Sequence, residues 1–217
     1  MQLIATDLHY RYARNLPDVL AGAHLAIPMG QTVAIAGPSG SGKTTLLALL
    51  GGLLRPREGQ VQVEGARPES PAENVAWVLQ TVNVLPDRTV LDNAALGAFG
   101  DGANLGSARE RAREALRQVG LGSLVGRPVR TLSGGETQRV VIARALCSLR
   151  PFILADEPTG QLDRRTTDGV LESLLTDTHG KGVVIVTHDP TVASRCDRTL
   201  YLVDGVLMDH LDETVGS

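Results

Sequence analysis

Four short apolar runs, rich in β-branched residues, recur along the chain and predict strands. They cover residues 32–36, 75–79, 152–155 and 183–186. Because each run is apolar at nearly every position, it is typical of a strand buried on both faces. Stretches with helical periodicity lie between the runs. This alternation predicts an α/β fold with a largely parallel core sheet.

The pattern changes near both ends of the chain. Residues 59–65 alternate between polar and apolar, and a short strand is expected at Leu3-Ile4-Ala5. Residues 201–203 and 206–208 flank Asp204-Gly205, a pair that favours the type I′ turn of a β-hairpin. We therefore expect antiparallel β-structure beside the parallel core.

Residues 81–130 contain no convincing strand and predict a helical insertion. Ser107 and Glu110 have the spacing of a capping box, and Gly120 is expected to end the helix that follows. One face of this helix is apolar: Ala108, Ala112, Ala115, Leu116 and Val119. With 217 residues, one domain is expected. Residues 1–80 and 131–217 would form its core, and 81–130 a helical subdomain.

Charge and composition exclude several classes of protein. The chain has 21 basic and 24 acidic residues, a net charge of −3, and 42% hydrophobic residues. This balance argues against a disordered chain and against a strongly basic nucleic-acid-binding protein. The arginines of the insertion, Arg109, Arg111, Arg113 and Arg117, alternate with Glu110 and Glu114 and predict a solvated face.

Three further observations concern location and chemistry. The longest apolar stretch, residues 46–54, has nine residues, whereas a membrane-spanning helix needs about 20. No secretory signal is recognisable, so a cytoplasmic chain is expected. Cys147 and Cys196 lie far apart in sequence and outside any ligand-spaced cluster. They predict buried thiols rather than a disulfide or a metal site.

A phosphate-binding loop follows the first core strand. Its residues match G-x-x-x-x-G-K-[ST] at every position: Gly37, Pro38, Ser39, Gly40, Ser41, Gly42, Lys43 and Thr44, with Thr45 next in the helix. Glycines allow backbone N–H groups to surround phosphate oxygens, and the helix N-terminus adds partial positive charge. Lys43 is expected to reach the β- and γ-phosphates, and Thr44 to ligate Mg²⁺.

Two adjacent carboxylates end the strand at residues 152–155. Ligands of open α/β sheets bind at this edge, so Asp156 and Glu157 are expected beside the phosphate loop. Asp156 fits a partner of Mg²⁺ opposite Thr44. Glu157 fits a general base that polarises the attacking water.

A second Gly-rich turn, at residues 132–136, leads into another apolar helix. Ser133 and Glu136 form a capping box, and the exposed Gly134 and Gly135 leave a helix N-terminus open to an anion. One mononucleotide does not need two such cradles on one chain. The two Gly-rich turns are explained if, in a dimer, each turn of a chain contacts a different nucleotide.

These elements together resemble the ATP-binding subunits of ABC transporters. Residues 37–44 are similar to the Walker A motif, 152–157 to Walker B, and 132–136 to the signature motif. The resemblance extends to Gln80 as the Q-loop glutamine, to His188 as the switch histidine, and to residues 159–163 as a D-loop ending at Asp163. It makes Tyr12 the aromatic that stacks on adenine, with Tyr10 as the alternative.

The resemblance implies an ATPase that binds ATP and Mg²⁺ and dimerises with itself. Gln80 would sense Mg²⁺ or the water, and His188 would hold the γ-phosphate and help to position Glu157. Closure of the dimer would move a separate membrane permease through residues 84–93, on the inner face of the membrane, with no nucleic acid as partner. The motifs are closest to the branch that serves lipoprotein release, macrolide export and FtsX-type permeases.

Two other functions share a phosphate loop of this kind. One is an ABC-type ATPase of DNA repair or translation, but repair members carry long coiled coils and translation members carry two nucleotide domains. The other is a P-loop nucleotide kinase, for which the chain shows no acceptor site or arginine-rich lid. That kinase would also leave residues 133–136 unexplained.

Overall fold

The computed structural model describes residues 1–81, 83–160, 164–176, 178 and 180–209. In chain order its strands are β1 (Gln2–Tyr10), β2 (Leu20–Pro28), β3 (Thr32–Ala36), β4 (Glu58–Glu64), β5 (Val75–Val78), β6 (Phe152–Asp156), β7 (Gly182–Val186), β8 (Arg198–Val203) and β9 (Val206–Met208). The helices are α1 (Lys43–Leu50), α2 (Pro71–Asn74), α3 (Val90–Phe99), α4 (Leu105–Gln118), α5 (Gly134–Cys147), α6 (Arg164–Leu175) and α7 (Pro190–Ala193). Two short 3-10 helices, Gly122–Leu124 and Val129–Thr131, precede α5.

The strands form two sheets. The core sheet has the order β5-β6-β7-β3-β8-β9, parallel except for the β8–β9 hairpin. Asp204 and Gly205, with φ of 48° and 79°, have the positive φ that a type I′ turn requires. The second sheet, β2-β1-β4, is antiparallel. The predicted α/β fold with an antiparallel flank is therefore confirmed.

Sequence reasoning did not identify β2. Its residues alternate between buried and exposed, but small residues such as Ala21, Gly22 and Ala23 weaken the local signal for a strand. The pairing of β2 with β1 stabilises it instead. One boundary also differs from the prediction, since β5 ends at Val78 and Leu79 lies beyond it.

Two apolar clusters cover opposite faces of the core sheet. Along β6, Ile153 and Ala155 pack with the helical insertion and α5, whereas Phe152 and Leu154 pack with α1 and the antiparallel sheet. Successive side chains of a strand point to opposite faces, so burial on both faces requires an unbroken apolar run. This is why the four core runs were readable in the sequence.

The predicted helical insertion is present as α3 and α4, which pack on α5. The apolar face of α4 is buried as expected, and Gly120, at φ 72°, follows the end of the helix. The predicted N-cap, Ser107, is wrong. The helix begins one turn earlier because the Asn104 side chain accepts a hydrogen bond from Ser107 N.

A hydrogen-bonded hub fixes the C-terminal end of α5. The Asp101 carboxylate accepts from Arg111 at 2.5 Å, Ser148 Oγ at 2.9 Å and Leu149 N at 2.7 Å. Although burial raises the pKa of Asp101, these hydrogen bonds outweigh it and hold the pKa below its usual value. The prediction that Arg111 lies on a solvated face is therefore wrong.

The hub also reaches the core sheet. Lys181 Nζ, before β7, donates to Ser148 O at 2.8 Å and Arg150 O at 2.6 Å, and Arg150 Nη1 donates to Val75 O at 2.7 Å. Burial lowers the pKa of Lys181 to about 8. The hub thus joins the insertion, α5 and two core strands at one place.

Both cysteines are free thiols, as predicted. Cys147 is buried and Cys196 is partly buried. Burial raises the pKa of both thiols, that of Cys196 to about 11. Among the described residues, none of the helices combines the length and apolar character needed to cross a membrane.

Candidate active site

The phosphate loop connects β3 to α1, and two of its glycines are required by close neighbours. A Cβ on Gly37 would lie 2.4 Å from Leu202 O, and a Cβ on Gly42 would lie 2.8 Å from Val19 Cγ1. Gly42 is the N-cap of α1, has φ 98°, and leaves the helix without a side-chain cap. The first N–H groups of α1 are thus not closed off by a neighbouring side chain.

Lys43 lies under this loop with 8% of its surface exposed. Its ammonium donates to Gly37 O at 2.9 Å and Pro38 O at 2.8 Å, so both acceptors are neutral carbonyl oxygens. Ser41 Oγ is buried and has no hydrogen-bond partner within the described part of the chain. A buried ammonium and an unpaired hydroxyl are groups that a bound anion satisfies.

Asp156 ends β6 directly opposite α1. Thr44 Oγ1 donates to Asp156 Oδ1 at 3.4 Å, which confirms that these two residues are adjacent. Burial raises the pKa of Asp156, the hydrogen bond from Thr44 lowers it, and the neighbouring Glu157 raises it again. The net effect is a raised pKa, and a bound cation would reverse it by favouring the carboxylate.

The donor set here suits Mg²⁺ more than a softer metal. No cluster of three or more His, Cys, Asp or Glu side chains arranged for a metal occurs in the described ranges. The hydroxyl of Thr44, the carboxylate of Asp156 and the amide of Gln80 instead border one cavity. Mg²⁺ binds through one or two such oxygens together with substrate phosphates, so these residues fit it.

Glu157 adopts a strained backbone conformation, with φ 44°. Its side chain is mostly buried, and Oε1 lies 2.7 Å from His188 Nδ1. Thr187 Oγ1 donates to Oε2 at 3.4 Å. The carboxylate is therefore held at the edge of the sheet next to the phosphate loop.

Tyr12 lies at the mouth of the site with 63% of its surface exposed. Its hydroxyl is hydrogen-bonded to Thr45 Oγ1 at 2.8 Å, and its ring meets Tyr10 edge-on at a centroid distance of 5.2 Å. Tyr10 itself packs against the apolar cluster under the antiparallel sheet. Of the two tyrosines, Tyr12 offers the open ring face.

A cavity of about 470 Å³ brings most of the predicted residues together. Those that line it are Tyr12, Ser39, Gly40, Gly42, Lys43, Thr44, Thr45, Gln80, Asp156, Glu157 and His188. Comparison with known proteins assigns the chain to a family. Residues 20–160 match the family model described as ABC transporter. The chain belongs to the ABC transporter family.

Relatives and solved cassettes agree with this assignment. YvrO of Bacillus subtilis, an ABC transporter ATP-binding protein, is 40% identical over 94% of this chain and 93% of its own length. LolD 1 of Caulobacter vibrioides, a lipoprotein-releasing system ATP-binding protein, is 40% identical over 91% and 90%. The predicted similarity to the lipoprotein-releasing branch is thus confirmed.

The structural matches are ABC cassettes as well. The dimeric bacterial cassette MJ0796, 35% identical, superimposes with a TM-score of 0.79 over 94% of this chain and 96% of its own. CbiO1 of Clostridium perfringens, part of a transporter complex, is 26% identical and superimposes with a TM-score of 0.83, covering 95% and 86%. This ABC cassette is an ATP-binding, ATP-hydrolysing subunit of a transporter.

The signature turn of the cassette lies outside the 470 Å³ cavity. Ser133 and Gly134 are exposed, but the prediction that Gly135 is also exposed is wrong, because Gly135 is buried at the start of α5. The predicted capping box is present: Ser133 Oγ accepts from Glu136 N at 3.2 Å, and Glu136 Oε2 accepts from Ser133 N at 2.8 Å. The hydrogen bond from Ser133 N lowers the pKa of Glu136.

Three residues at the site were not predicted from the sequence. One predicted residue is not among those that the structure describes. Val19 and Val186 line the cavity although neither was predicted. Val19 precedes the unrecognised β2, and no local signal marked it. Thr187 contacts Glu157, and its place at a strand end before His188 was the available signal. Asp163, expected to contact nucleotide, lies outside the described residues.

Proposed function

We propose that this cassette forms an ATP-sandwich homodimer that drives a separate membrane permease from the inner face of the membrane. The observation that carries the proposal is the division of the two anion cradles. Lys43 and the uncapped start of α1 face the cavity, whereas Ser133 and Gly134 are exposed elsewhere. A second chain would bring its Ser133–Gly134 turn to the nucleotide held by the first.

Each residue of the phosphate loop has a role in binding. The loop from Gly37 to Gly42 would wrap the phosphates with backbone N–H groups, and Lys43 would exchange its carbonyl acceptors for β- and γ-phosphate oxygens. Ser41 Oγ, now unpaired, and Thr45 would add hydroxyl donors. Tyr12 would stack on the base.

Thr44, Asp156 and Gln80 would hold Mg²⁺ together with the phosphates. When bound, this cation neutralises charge on the β- and γ-phosphate oxygens. Asp156, whose pKa is raised in the chain alone, would then be held ionised. Gln80 directly precedes the insertion in sequence and would link this site to the helical subdomain.

Hydrolysis would proceed by attack of a water, oriented by Glu157, on the γ-phosphorus, while the bond to the oxygen shared with the β-phosphate breaks and ADP leaves. The carboxylate accepts a proton from the water, and His188 turns from Glu157 to hold the γ-phosphate. Ser133, Gly134 and Gly135 of the second chain would add helix-terminus donors to the same phosphate. Asp163 would complete the interface between the chains.

The division into a core (1–80 and 131–217) and a helical subdomain (81–130) gives closure a route to the membrane. Residues 84–93 lie where the insertion meets α5. Arg144, on α5, donates to Asn83 O, directly before this segment, at 2.7 Å, and to Asn93 O, at its end, at 3.0 Å. A permease seated against this segment would be moved when the subdomain turns. Dimer closure is the step that binding energy drives.

A complementation experiment tests the shared site. One variant carries Lys43→Ala, and the other carries Gly134→Asp, a position where a Cβ meets no atom within 4 Å. A heterodimer of the two has one intact composite site. We expect each variant alone to be inactive and the mixture to hydrolyse ATP.

Gly126→Asp serves as the matched control for the second variant. Gly126 is also exposed and also has room for a Cβ, but it belongs to the insertion and not to the signature turn. Gly126→Asp should therefore keep wild-type activity. A mixture of Lys43→Ala and Gly134→Asp that stays inactive, while both fold and dimerise, would contradict the shared site.

A further inference from the structure

Within the described residues, two side chains contact the Glu157 carboxylate, and they differ in exposure. The His188 side chain, 2.7 Å from Oε1, is 69% exposed. Thr187, which donates to Oε2 at 3.4 Å, is 1% exposed. One partner is thus free to move into solvent or toward a ligand, whereas the other is fixed within the fold.

The backbone around Thr187 determines where its hydroxyl proton points. Thr187 N donates to Ile35 O at 3.1 Å, which anchors the residue to β3. Asp189 N donates to Thr187 Oγ1 at 3.0 Å and occupies a lone pair of the hydroxyl. Because the residue is buried from water, its single proton is directed to Glu157 Oε2.

The strained main chain of Glu157 is fixed separately from its side chain. A non-glycine residue at φ 44° has no intrinsic preference for its conformation, which persists only when its surroundings impose it. Glu157 N donates to Val186 O at 3.0 Å and Gly160 N donates to Glu157 O at 3.1 Å. These bonds fix the main chain, and the side chain depends on Thr187 and His188.

We infer that Thr187 is the positioning residue that keeps Glu157 aimed at the water after His188 has turned to the γ-phosphate. The inference rests on the proposed function, in which Glu157 is the base and His188 contacts the nucleotide. Departure of His188 vacates Oε1, the oxygen that then accepts the proton of water. Thr187 remains on Oε2 and prevents the carboxylate from rotating.

The test compares Thr187→Val, which keeps the shape and removes the hydroxyl, with Thr187→Ser, which keeps the hydroxyl. Misplacement of a reacting group costs up to about 10²-fold in rate, so we expect kcat to fall about tenfold in Thr187→Val with KM for ATP unchanged. Thr187→Ser should stay within about twofold of wild type. Thr187→Ala provides the same deletion if Thr187→Val does not fold.

A double variant separates positioning from general structural support. In a Glu157→Gln background, adding Thr187→Val should leave the single-turnover rate unchanged, because Thr187 acts through the carboxylate. A purely structural role would slow both backgrounds equally, raise KM and leave Thr187→Ser as impaired as Thr187→Val. Any of these results overturns the inference, as does a wild-type kcat in Thr187→Val.

The same variants distinguish this inference from the proposed function. If Glu157→Gln hydrolyses ATP at the wild-type rate, Glu157 is not the base and the proposed chemistry fails. If Glu157→Gln is inactive but Thr187→Val retains full kcat, the chemistry stands and only the role of Thr187 is lost.

Discussion

The helices α1 and α5 both begin at a Gly-rich turn, but their N-termini are built differently. The start of α1 has no capping side chain and lies beside the buried ammonium of Lys43. The start of α5 is closed by the reciprocal hydrogen bonds of Ser133 and Glu136, and Glu136 adds a negative charge to it. A helix N-terminus carries roughly half a positive charge, which this carboxylate offsets.

This difference assigns unequal tasks to two similar turns. The α1 turn has unsatisfied donors and a cation, so it can bind phosphate by itself. The α5 turn has already satisfied part of its donors and gains little from a free anion. Under the proposed function it would act only on a nucleotide that another chain presents.

Glu157→Gln should hold both turns on the same ATP. Loss of a general base lowers the hydrolysis rate by about 10²- to 10⁴-fold while leaving binding intact. Size-exclusion chromatography should show a dimer with Mg²⁺-ATP and a monomer with ADP. Asp156→Asn is the contrasting variant and should weaken Mg²⁺-ATP binding itself. Rapid hydrolysis by Glu157→Gln would place the base elsewhere, with His188 the next candidate.

Lys43→Ala should weaken the binding of phosphate at the α1 turn. Loss of one member of a buried, hydrogen-bonded charge pair typically costs 2 to 5 kcal/mol, so ATP affinity measured by calorimetry should fall by about 10²-fold. The control is Lys181→Gln, at the other lysine of the chain, which lies in the hub at the opposite end of the fold from the loop. If Lys43→Ala and wild type bind ATP with equal affinity, the buried ammonium is not what distinguishes the α1 turn from the α5 turn.

How far the sequence predicts this asymmetry depends on how local each feature is. The phosphate loop and the Ser133–Glu136 capping box are set within a few residues, and both were predicted. The core strands were readable because burial on two faces leaves an apolar run. Features that depend on distant partners were missed: β2 needs β1, and Arg111 needs Asp101.

The same reasoning explains the missed cap of α4 and the missed contact of Thr187. Asn104 and Ser107 are both good caps, so the local sequence does not decide between them; in the fold the Asn104 side chain accepts from Ser107 N and starts the helix. Thr187 resembles any polar residue at a strand end until the fold brings Glu157 beside it. The sequence marks Thr187 only as a polar residue at a strand end before His188, and the contact with Glu157 is set by the fold.

Dilution should expose the dependence of the α5 turn on a second chain. When most of the protein is monomeric, the dimeric fraction is proportional to concentration, so activity per molecule should fall about tenfold for each tenfold dilution. ATPase assays run beside sedimentation velocity measure both quantities. Constant specific activity at concentrations where only monomer sediments would show that one chain suffices.

Glu136→Gln should sharpen the comparison with the smallest effect. Glutamine can keep the hydrogen bond to Ser133 N while removing the negative charge from the start of α5. Charges near a helix terminus are worth about 0.3 to 1 kcal/mol, so each of the two composite sites of the ATP-bound dimer should tighten by about two- to fivefold, and the dissociation constant of the dimer should fall by about the square of that factor. Sedimentation equilibrium in the Glu157→Gln background measures this shift. A weaker dimer would mean that Glu136 itself contacts the partner or its nucleotide.

The hub at Ser148 holds the C-terminal end of α5, so this end is the pivot of the helix. The helix has 14 residues and so an arm of about 21 Å between the hub and the signature turn. A rotation of α5 by about 10° about that pivot would move Ser133 by about 4 Å, more than the length of a hydrogen bond. Under the proposed function, a slight tilt of α5 would therefore be enough to engage or release a nucleotide at the far end.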